Sequence, residues 1–535
     1  MEVAAMEGKF RRLPIGVQSF ASLRKGGFVY VDKTRYIYEL ARRNKQYFLS
    51  RPRRFGKSLF LSTLKAYWEG KKELFEGLAI SELENGNSEA WQPHPVFYFD
   101  FNGQNYQGGT TLEDVLDKML EMWEKEYGCK ETGPLSYRFQ NLLIKASAKA
   151  GRECVVLVDE YDKPLLEVLD NVLLEERNKA VFKAFFGTLK NYDEYLRFVF
   201  ITGVTKFSKV SIFSDLNQLY DISLLPDYAS ICGITREEML SNFLPEIEKT
   251  AAGLHISKEK CLADLQQRYD GYRFAVGAEG VYNPFSLLSA LDSGLLDAYW
   301  FSTGTPTFLV KQVKKMRLNP AKFTNRTIYA DAAAMTDYRA ENSDPVPLLY
   351  QTGYLTIWDY DARRQRYVLG FPNDEVKYGF LSSLLPVYTP ASMSATGTDI
   401  FTVDEYIETG NIEGVGDIFR ALFAGIPYTA DDAPFEHYFQ TVIYLVFTLL
   451  GRYVQVEVHS AKGRADCIVE TPDFVYIFEF KLGKSAKDAL QQIETKGYAE
   501  TYRADKRKLF KIGVSFDGEK RSFEECEVAE PPHSL

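Results

Sequence analysis

Two groups of charged residues stand out by type and spacing. The first is Arg51-Pro-Arg-Arg-Phe-Gly-Lys-Ser58, followed about a hundred residues later by Val155-Val-Leu-Val-Asp-Glu160. A Gly-Lys-Ser segment between a strand and a helix is placed to cradle phosphate oxygens with backbone N–H groups. In that chemistry Lys57 reaches the β and γ phosphates and the Ser58 hydroxyl holds Mg²⁺, while Asp159 orients the ion and Glu160 polarises the attacking water. Arg51, Arg53, Arg54, Phe55 and Gly56 complete the loop, with Arg51 where the usual pattern opens on Gly. Thr202, ending Arg197-Phe-Val-Phe-Ile-Thr202, stands where a γ-phosphate sensor would, although a Thr that starts a turn reads the same way. Paired acids closing a strand also suit a solvated turn, so the first group depends on its members being brought together.

The second group is Asp466 and Glu479-Phe-Lys481. Residues two apart in a strand share a face, so Val475, Ile477, Glu479 and Lys481 project together, and Phe474, Tyr476, Phe478 and Phe480 take the other face. An apolar face ending in Glu and Lys needs an ion pair, a metal or water. Thr471-Pro-Asp473 is short enough to let the preceding strand pair antiparallel, bringing Asp466 towards Glu479. Two carboxylates and a phosphate oxygen form the hard oxygen environment that Mg²⁺ prefers. Lys481 beside them could hold an attacking water and stabilise transition-state charge. An exposed cross-strand salt bridge is the plainer alternative.

Sheets must position both groups. Phe28–Val31, Gln46–Leu49, Pro95–Phe101, Cys154–Val158 and Arg197–Thr202 read as strands. Helices are expected from Thr34, as N-cap, to Arg43, and over Ser58–Trp68, Leu112–Tyr127 and Tyr137–Ala150. Continuous apolar runs such as Cys154–Val158 suit strands covered on both faces, and their alternation with helices predicts an α/β fold with a parallel sheet. Residues 235–400 read mainly as helices and irregular aromatic segments. Beyond residue 434 the order is helix to 450, strands over 453–459, 464–470 and 474–481, a helix over 485–500 and a strand over 508–516, a compact α/β module.

At this point a resemblance becomes specific. The phosphate loop, together with Val31-Asp-Lys-Thr34, Val158-Asp-Glu-Tyr-Asp162, Thr202-Gly203, Tyr269-Asp-Gly-Tyr272, Tyr282-Asn-Pro-Phe-Ser286 and Trp300-Phe-Ser-Thr-Gly-Thr305, resembles the bacterial AAA-ATPase-like family over roughly residues 10–310. An arginine-rich phosphate loop looks typical of that family. The resemblance implies a P-loop NTPase-type parallel sheet with a helical extension, ATP and Mg²⁺ as cofactors, and a homo-oligomer. Asp466 followed by Glu479-x-Lys481 on consecutive strands is similar to the PD-(D/E)XK nuclease superfamily, over roughly 400–520. Glu436 then matches an accessory metal-binding acid and Gln492 the polar residue of the following helix. Ala465 stands where the name-giving motif has Pro. This second resemblance implies a small restriction-endonuclease-like domain and a DNA or RNA partner. The expected domains are 10–235 for the P-loop domain, 236–395 for the helical extension or lid, and 396–520 for the nuclease-like domain.

Composition bounds these readings. At roughly 150 residues per domain, 535 residues make about three or four units. The formal charge of −9 argues against a surface coated for nucleic acid, yet residues 1–72 hold 17 Lys or Arg against 5 Asp or Glu, and residues 481–511 hold 9 against 4. A solvated helix face would give the second count equally well. Six scattered cysteines and five scattered histidines offer no zinc spacing, so metal chemistry must use carboxylates. Tyr438–Leu450 is short of the roughly 20 apolar residues a bilayer span needs, and no secretory signal opens the chain, so a cytoplasmic protein is expected. The leading expectation is a protein that binds ATP, or binds and hydrolyses it, coupled to a Mg²⁺-dependent nuclease; the rival is a nucleotide switch with a catalytically silent nuclease-like domain.

Overall fold

A computed structural model describes residues 11–129, 132–169, 171–206, 218–302, 309–310, 313, 320–324, 326–336, 344–388, 400–424, 435–451, 455–458, 466–517 and 522–529. The chain divides into two compact units. The first comprises residues 1–304 and 326–376, and the second 305–325 and 377–535. The segment expected to form a separate helical extension, 236–395, is therefore shared between them.

The first unit is built on a five-stranded sheet of β1 (Gln46–Ser50), β2 (Val96–Asp100), β3 (Cys154–Asp159), β4 (Leu196–Gly203) and β5 (Tyr220–Asp221). All pairings are parallel, and the spatial order is β2-β3-β4-β1-β5. Every residue of β3 is buried, as an apolar strand covered on both faces must be. Phe99 shows what covers one face: its ring lies 4.9 Å from Trp123, 5.4 Å from Phe139 and 5.5 Å from Phe185. Because β4 separates β1 from β3, the loop that follows β1 and the acids that end β3 emerge on either side of Thr202. Ligands of open parallel sheets bind at this carboxyl edge.

The helices Arg236–Gly253, Lys258–Tyr269 and Pro284–Ser293 share a core that includes Met239, Phe243, Leu265 and Leu287. Leu13, Ile15, Val29 and Val31 pack onto the same core. This explains a departure from the sequence reading: Phe28–Val31 is not a strand. Among the described residues an isolated bridge joins Phe28 to Arg12 and no strand offers a ladder there, and the valines are drawn onto helices. Thr34 is the first residue of its helix instead of the cap; Lys33 holds the cap position without a side-chain cap bond, and Asp32 Oδ1 just before it accepts from Thr34 N at 2.8 Å and from its hydroxyl at 2.6 Å. Also unforeseen is a three-stranded antiparallel sheet of β6 (Ile328–Ala330), β7 (Thr356–Asp361) and β8 (Arg366–Gly370) in the order β6-β8-β7. Its strands are three to six residues long, and an irregularity between Ile357 and Asp359 breaks the alternation of β7, leaving little period-2 signal to read.

The second unit places β9 (Gln455–Val458), β10 (Cys467–Glu470), β11 (Phe474–Leu482), β12 (Lys508–Asp517) and β13 (Ser522–Ala529) in the order β13-β12-β11-β10-β9. Only β11 and β12 run parallel, joined through the helix Ala486–Lys496. β13 was not anticipated; it follows β12 antiparallel with a register shift at Ser515/Phe516. The aromatic face of β11 meets the helix Phe435–Leu450, with Phe447 4.9 Å from Phe478, and its opposite face packs Ile477 against Ile493. No helix among the described residues is long and apolar enough to cross a membrane.

Gly513 lets the crossover helix approach β12 closely. A Cβ there would stand 2.3 Å from the Ala486 carbonyl oxygen and 3.0 Å from Leu490 Cγ. Gly513→Ala is expected to destabilise the second unit by about 1–3 kcal/mol, since a backbone carbonyl cannot yield as a side chain can. Gly416→Ala, in the helix Ile412–Ala424 with the nearest atom 3.8 Å away, should leave stability unchanged or slightly raised. Urea unfolding of the two variants beside the parent checks both.

Candidate functional site

The loop after β1 turns sharply into the helix Lys57–Trp68. Gly56 makes that turn at φ 91°, a left-handed conformation that costs other residues strain, and Arg54 joins it at φ 66°. Lys57 is 3% exposed and all its hydrogen-bonding capacity is engaged: Nζ donates to the carbonyls of Arg51 at 3.0 Å and Pro52 at 3.2 Å, and lies 3.1 Å from Glu160 Oε1. Asp159, 1% exposed, ends β3. Its Oδ1 accepts from the Thr202 hydroxyl at 2.8 Å, and Tyr98 OH stands 3.3 Å from Oδ2. Burial pushes the Asp159 carboxyl up, the Glu160 charge adds to this, and a hydrogen bond from Ser58 opposes it, as do Lys57 and Thr202. Lys57, Ser58, Asp159, Glu160 and Thr202 are therefore one cluster. Thr202 lies within β4, and its hydroxyl holds Asp159.

The arginines of the loop separate into two kinds. Arg51 is 1% exposed, donating to the carbonyls of Ser50, Ser223 and Tyr228 at 2.8, 2.8 and 2.9 Å, with its guanidinium 4.1 Å over the Phe274 ring. It was expected among the phosphate ligands; its side chain instead fastens the loop to the strand edge, because its charge is matched by backbone dipoles inside the fold. Arg53 and Arg54 are exposed. Phe55 is buried, edge-on to Tyr272 at 4.8 Å and Phe274 at 5.5 Å.

In the second unit, Cys467 pairs with Phe478, so continuing the antiparallel register sets Asp466 opposite Glu479. Asp466 Oδ2 accepts from Phe480 N at 2.9 Å. Glu479 is 1% exposed; Lys481 Nζ lies 2.8 Å from its Oε1 and donates to Gln492 Oε1 at 2.8 Å, while Gln492 Nε2 closes the triangle on the same carboxylate. Glu479 Oε2 is buried with no hydrogen-bond partner. Burial raises the Glu479 carboxyl, a hydrogen bond from Lys481 lowers it, the Asp466 charge raises it again, and the Lys481 charge and the Asp466 backbone N–H lower it. A buried bare carboxylate oxygen beside a second carboxylate is a donor set that fits Mg²⁺, which keeps several of its waters and takes few protein ligands. No group of three or more His, Cys, Asp or Glu suited to a metal occurs among the described residues, so these two acids would be its protein ligands there. The side chain of Glu436, expected as a third, lies outside the described residues.

Comparison with known proteins finds two families in the chain. The family described as "Predicted AAA-ATPase" matches residues 14–213, and the PD-(D/E)XK nuclease superfamily matches 434–526. A protein of Azotobacter chroococcum mcd 1, called "Uncharacterized protein in vnfD 5'region", is 36% identical over 527 residues, covering 96% of this chain and 98% of its own length. The chain belongs to the predicted AAA-ATPase family and carries a C-terminal PD-(D/E)XK nuclease superfamily domain.

In this AAA-ATPase-like protein a cleft of about 560 Å³ opens at the loop, a size suited to a small ligand. Its polar lining includes Arg53, Arg54, Lys57, Ser58 and Glu160, with Asn102 and Lys163, which were not foreseen. Its apolar lining includes Ile15, Val17, Val29, Ile234, Phe243 and Leu288. Lys33, of the Val31-Asp-Lys-Thr34 motif, also lines the cleft, its Nζ 2.6 Å from Glu238 Oε1 and donating to Ser230 O at 2.7 Å.

The other family motifs prove to be the scaffold of the loop. Tyr272 packs on Phe55, and Phe285 lies under Arg54 at 4.8 Å. Trp300 donates its indole N–H to the Arg53 carbonyl at 3.1 Å. Glu375 holds that tryptophan, accepting from Trp300 N at 2.7 Å and from the Ser286 hydroxyl at 2.7 Å. Sequence reasoning had no signal for Glu375, which enters from beyond the resemblance. Burial pushes its carboxyl up to about 7, against the hydrogen bonds from Ser286 and from the Tyr299, Trp300 and Phe301 amides.

The sign of the pH effect follows. An unfolded chain releases the Glu375 proton near pH 4.3, and the folded one holds it to about pH 7, so this group's contribution is greatest at low pH and is lost as pH rises through neutrality. The buried Asp162 carboxyl, also raised by burial, adds the same sign at lower pH. Thermal midpoints at pH 5.5, 6.5, 7.5 and 8.5 should show Glu375→Gln flattening the fall between pH 5.5 and 7.5. An unchanged slope would show that Glu375 does not titrate there.

Proposed function

We propose that the protein binds ATP with Mg²⁺ in the N-terminal cleft and hydrolyses phosphodiester bonds of DNA or RNA at Asp466, Glu479 and Lys481. The observation that carries the reading is Glu479: a carboxylate buried to 1% exposure, its Oε2 without a partner, beside Asp466 and an amine. No packing need explains such a charge, since an apolar side chain would fill the position more cheaply. Bound between Asp466 and Glu479, Mg²⁺ would supply Lewis-acid charge to a phosphate oxygen and lower the pKa of a bound water. Lys481, held by Glu479 and Gln492, orients the attacking water and stabilises charge as the phosphorus centre becomes crowded. Gln492 keeps the amine and the carboxylate in register.

At the N-terminal cleft the polar lining suits a triphosphate and the apolar lining a base. Phosphate oxygens would take over Lys57 from the Arg51 and Pro52 carbonyls, Arg53 and Arg54 would meet the outer phosphates, Ser58 and Asp159 would hold the ion, and Glu160, freed from Lys57, would activate water. The closed Lys57 also favours a second reading, a slow nucleotide switch, because Glu160 is engaged with the loop lysine until a ligand displaces it. The family reading extends to a homo-oligomer, and six free cysteines suit the reducing cytoplasm.

The test uses the full chain with labelled single-stranded DNA, duplex DNA and RNA in Mg²⁺, with and without ATP. Asp466→Ala and Lys481→Ala should each cut cleavage on the order of 100-fold or more in protein that remains folded, with Lys481→Ala melting lower because buried Glu479 loses its cation. Lys57→Ala should abolish ATP binding in calorimetry. Glu160→Gln should bind ATP at least as tightly yet lose turnover. Cleavage undiminished in Asp466→Ala overturns the nuclease assignment; ATP binding without turnover in the parent decides for the switch.

A further inference from the structure

Outside both sites, two arginines share one ring. Arg326 sets its Cζ 3.4 Å from the centroid of Trp358, and Arg273 sets its own at 4.7 Å. The ring is fixed: Trp358, on β7, donates its indole N–H to the Phe371 carbonyl at 3.0 Å. The Arg273 backbone is tied to the same strand, its N–H donating to Thr356 Oγ1 at 2.7 Å. Arg326 is exposed and adopts φ 54°, a left-handed conformation unfavourable for a residue with a side chain.

The charges are what make the cluster unusual. Like charges on one ring repel, and burial together with the Arg273 charge lowers the Arg326 guanidinium. Among the described residues neither guanidinium has a carboxylate within ion-pairing distance, in a protein with 73 acids and a net charge of −9. The acids around it are otherwise engaged: Asp361 pairs with Arg364 and Arg366, and Asp359 accepts from Tyr360 N. Asp270 acts on Arg273 only at longer range. The same sheet carries another guanidinium on a ring, Arg366 over Tyr329 at 3.9 Å, with Tyr329 47% exposed.

We propose that Arg273, Trp358 and Arg326 form an anion-binding platform that takes the phosphates of a nucleic-acid strand. Each guanidinium presents a fork of donors that matches phosphate oxygens, and an incoming phosphate relieves the repulsion between them. Aromatic rings beside such cations are how proteins hold strands without reading sequence. None of the three residues lines the nucleotide cleft, so the platform is a separate site. Its nucleic-acid identity rests on the nuclease reading above; its anion binding does not.

Strand affinity is measured on the full-length Asp466→Ala protein in chelator, by anisotropy of a labelled 20-nucleotide single strand over a salt series. Arg273→Gln/Arg326→Gln should weaken binding about 10- to 100-fold and reduce the log–log salt slope by about 1–2, the loss of one or two phosphate contacts. Should that double variant melt early, Arg273→Lys/Arg326→Lys keeps the charge, and its expected signature is a retained salt slope with affinity between parent and Gln variant. Unchanged affinity and slope in a folded Gln variant overturn the proposal and leave a structural cation–π stack. Inorganic phosphate and triphosphate form the other arm: if either displaces the strand as well as a competing strand does, the ligand is free phosphate and the strand assignment falls. Loss of cleavage in the Asp466→Ala protein is scored separately, so failure of the nuclease reading and failure of the platform are told apart.

Discussion

A cation carried out of water must be met by opposite charge or by aligned dipoles, and Lys57 is the residue on which that requirement bears hardest. Its ammonium lies inside the protein, at the first turn of a helix whose exposed N–H groups already make the region positive. Two loop carbonyls and Glu160 answer it. That answer fixes how the chain runs from Arg51 to Ser58, why Glu160 leaves β3 at φ 52°, and why β1 and β3 must end side by side around β4. A triphosphate would satisfy the same ammonium with more charge than the two carbonyls and Glu160 supply.

The same physics divides the arginines. Arg51 is as deeply buried as Lys57, yet three carbonyls and an aromatic face surround it, and its role is to hold strand end, loop and neighbouring segment together. Arg53 and Arg54 remain in solvent at the cleft. The loop is stiffened from behind by Phe55 on Tyr272 and by Trp300, itself held by Glu375. Bulk and charge in the loop thus replace the flexibility that glycines would give, and the price is a larger scaffold.

In the second unit the burden falls on an anion. Glu479 has its charge half answered by Lys481 and Gln492 and half left bare. β11 makes this possible because its aromatic face anchors the strand against the helix Phe435–Leu450, while β10 delivers Asp466 by register. A strand held so firmly on one side can present a partly compensated carboxylate on the other.

Local sequence determined what short-range forces decide. The helix Leu112–Tyr127 has the bounds its pattern predicts because Thr111 and Asp114 form a capping box and Gly128 ends it at φ 70°. The buried parallel strands, the Gly-Lys-Ser turn and the alternation of β11 were legible for the same reason: a hydrogen bond, a φ angle or a two-residue period declares each within a few positions. Tertiary structure alone decided that Phe28–Val31 would pack on helices, that residues 328–370 would pair into a sheet, that Arg51 would turn inward, and that Glu375 would hold Trp300. Each depends on what lies opposite in space, and burial of a charge or the pairing of an edge is settled by partners from about 40 to more than 170 residues away, to which no local spacing refers.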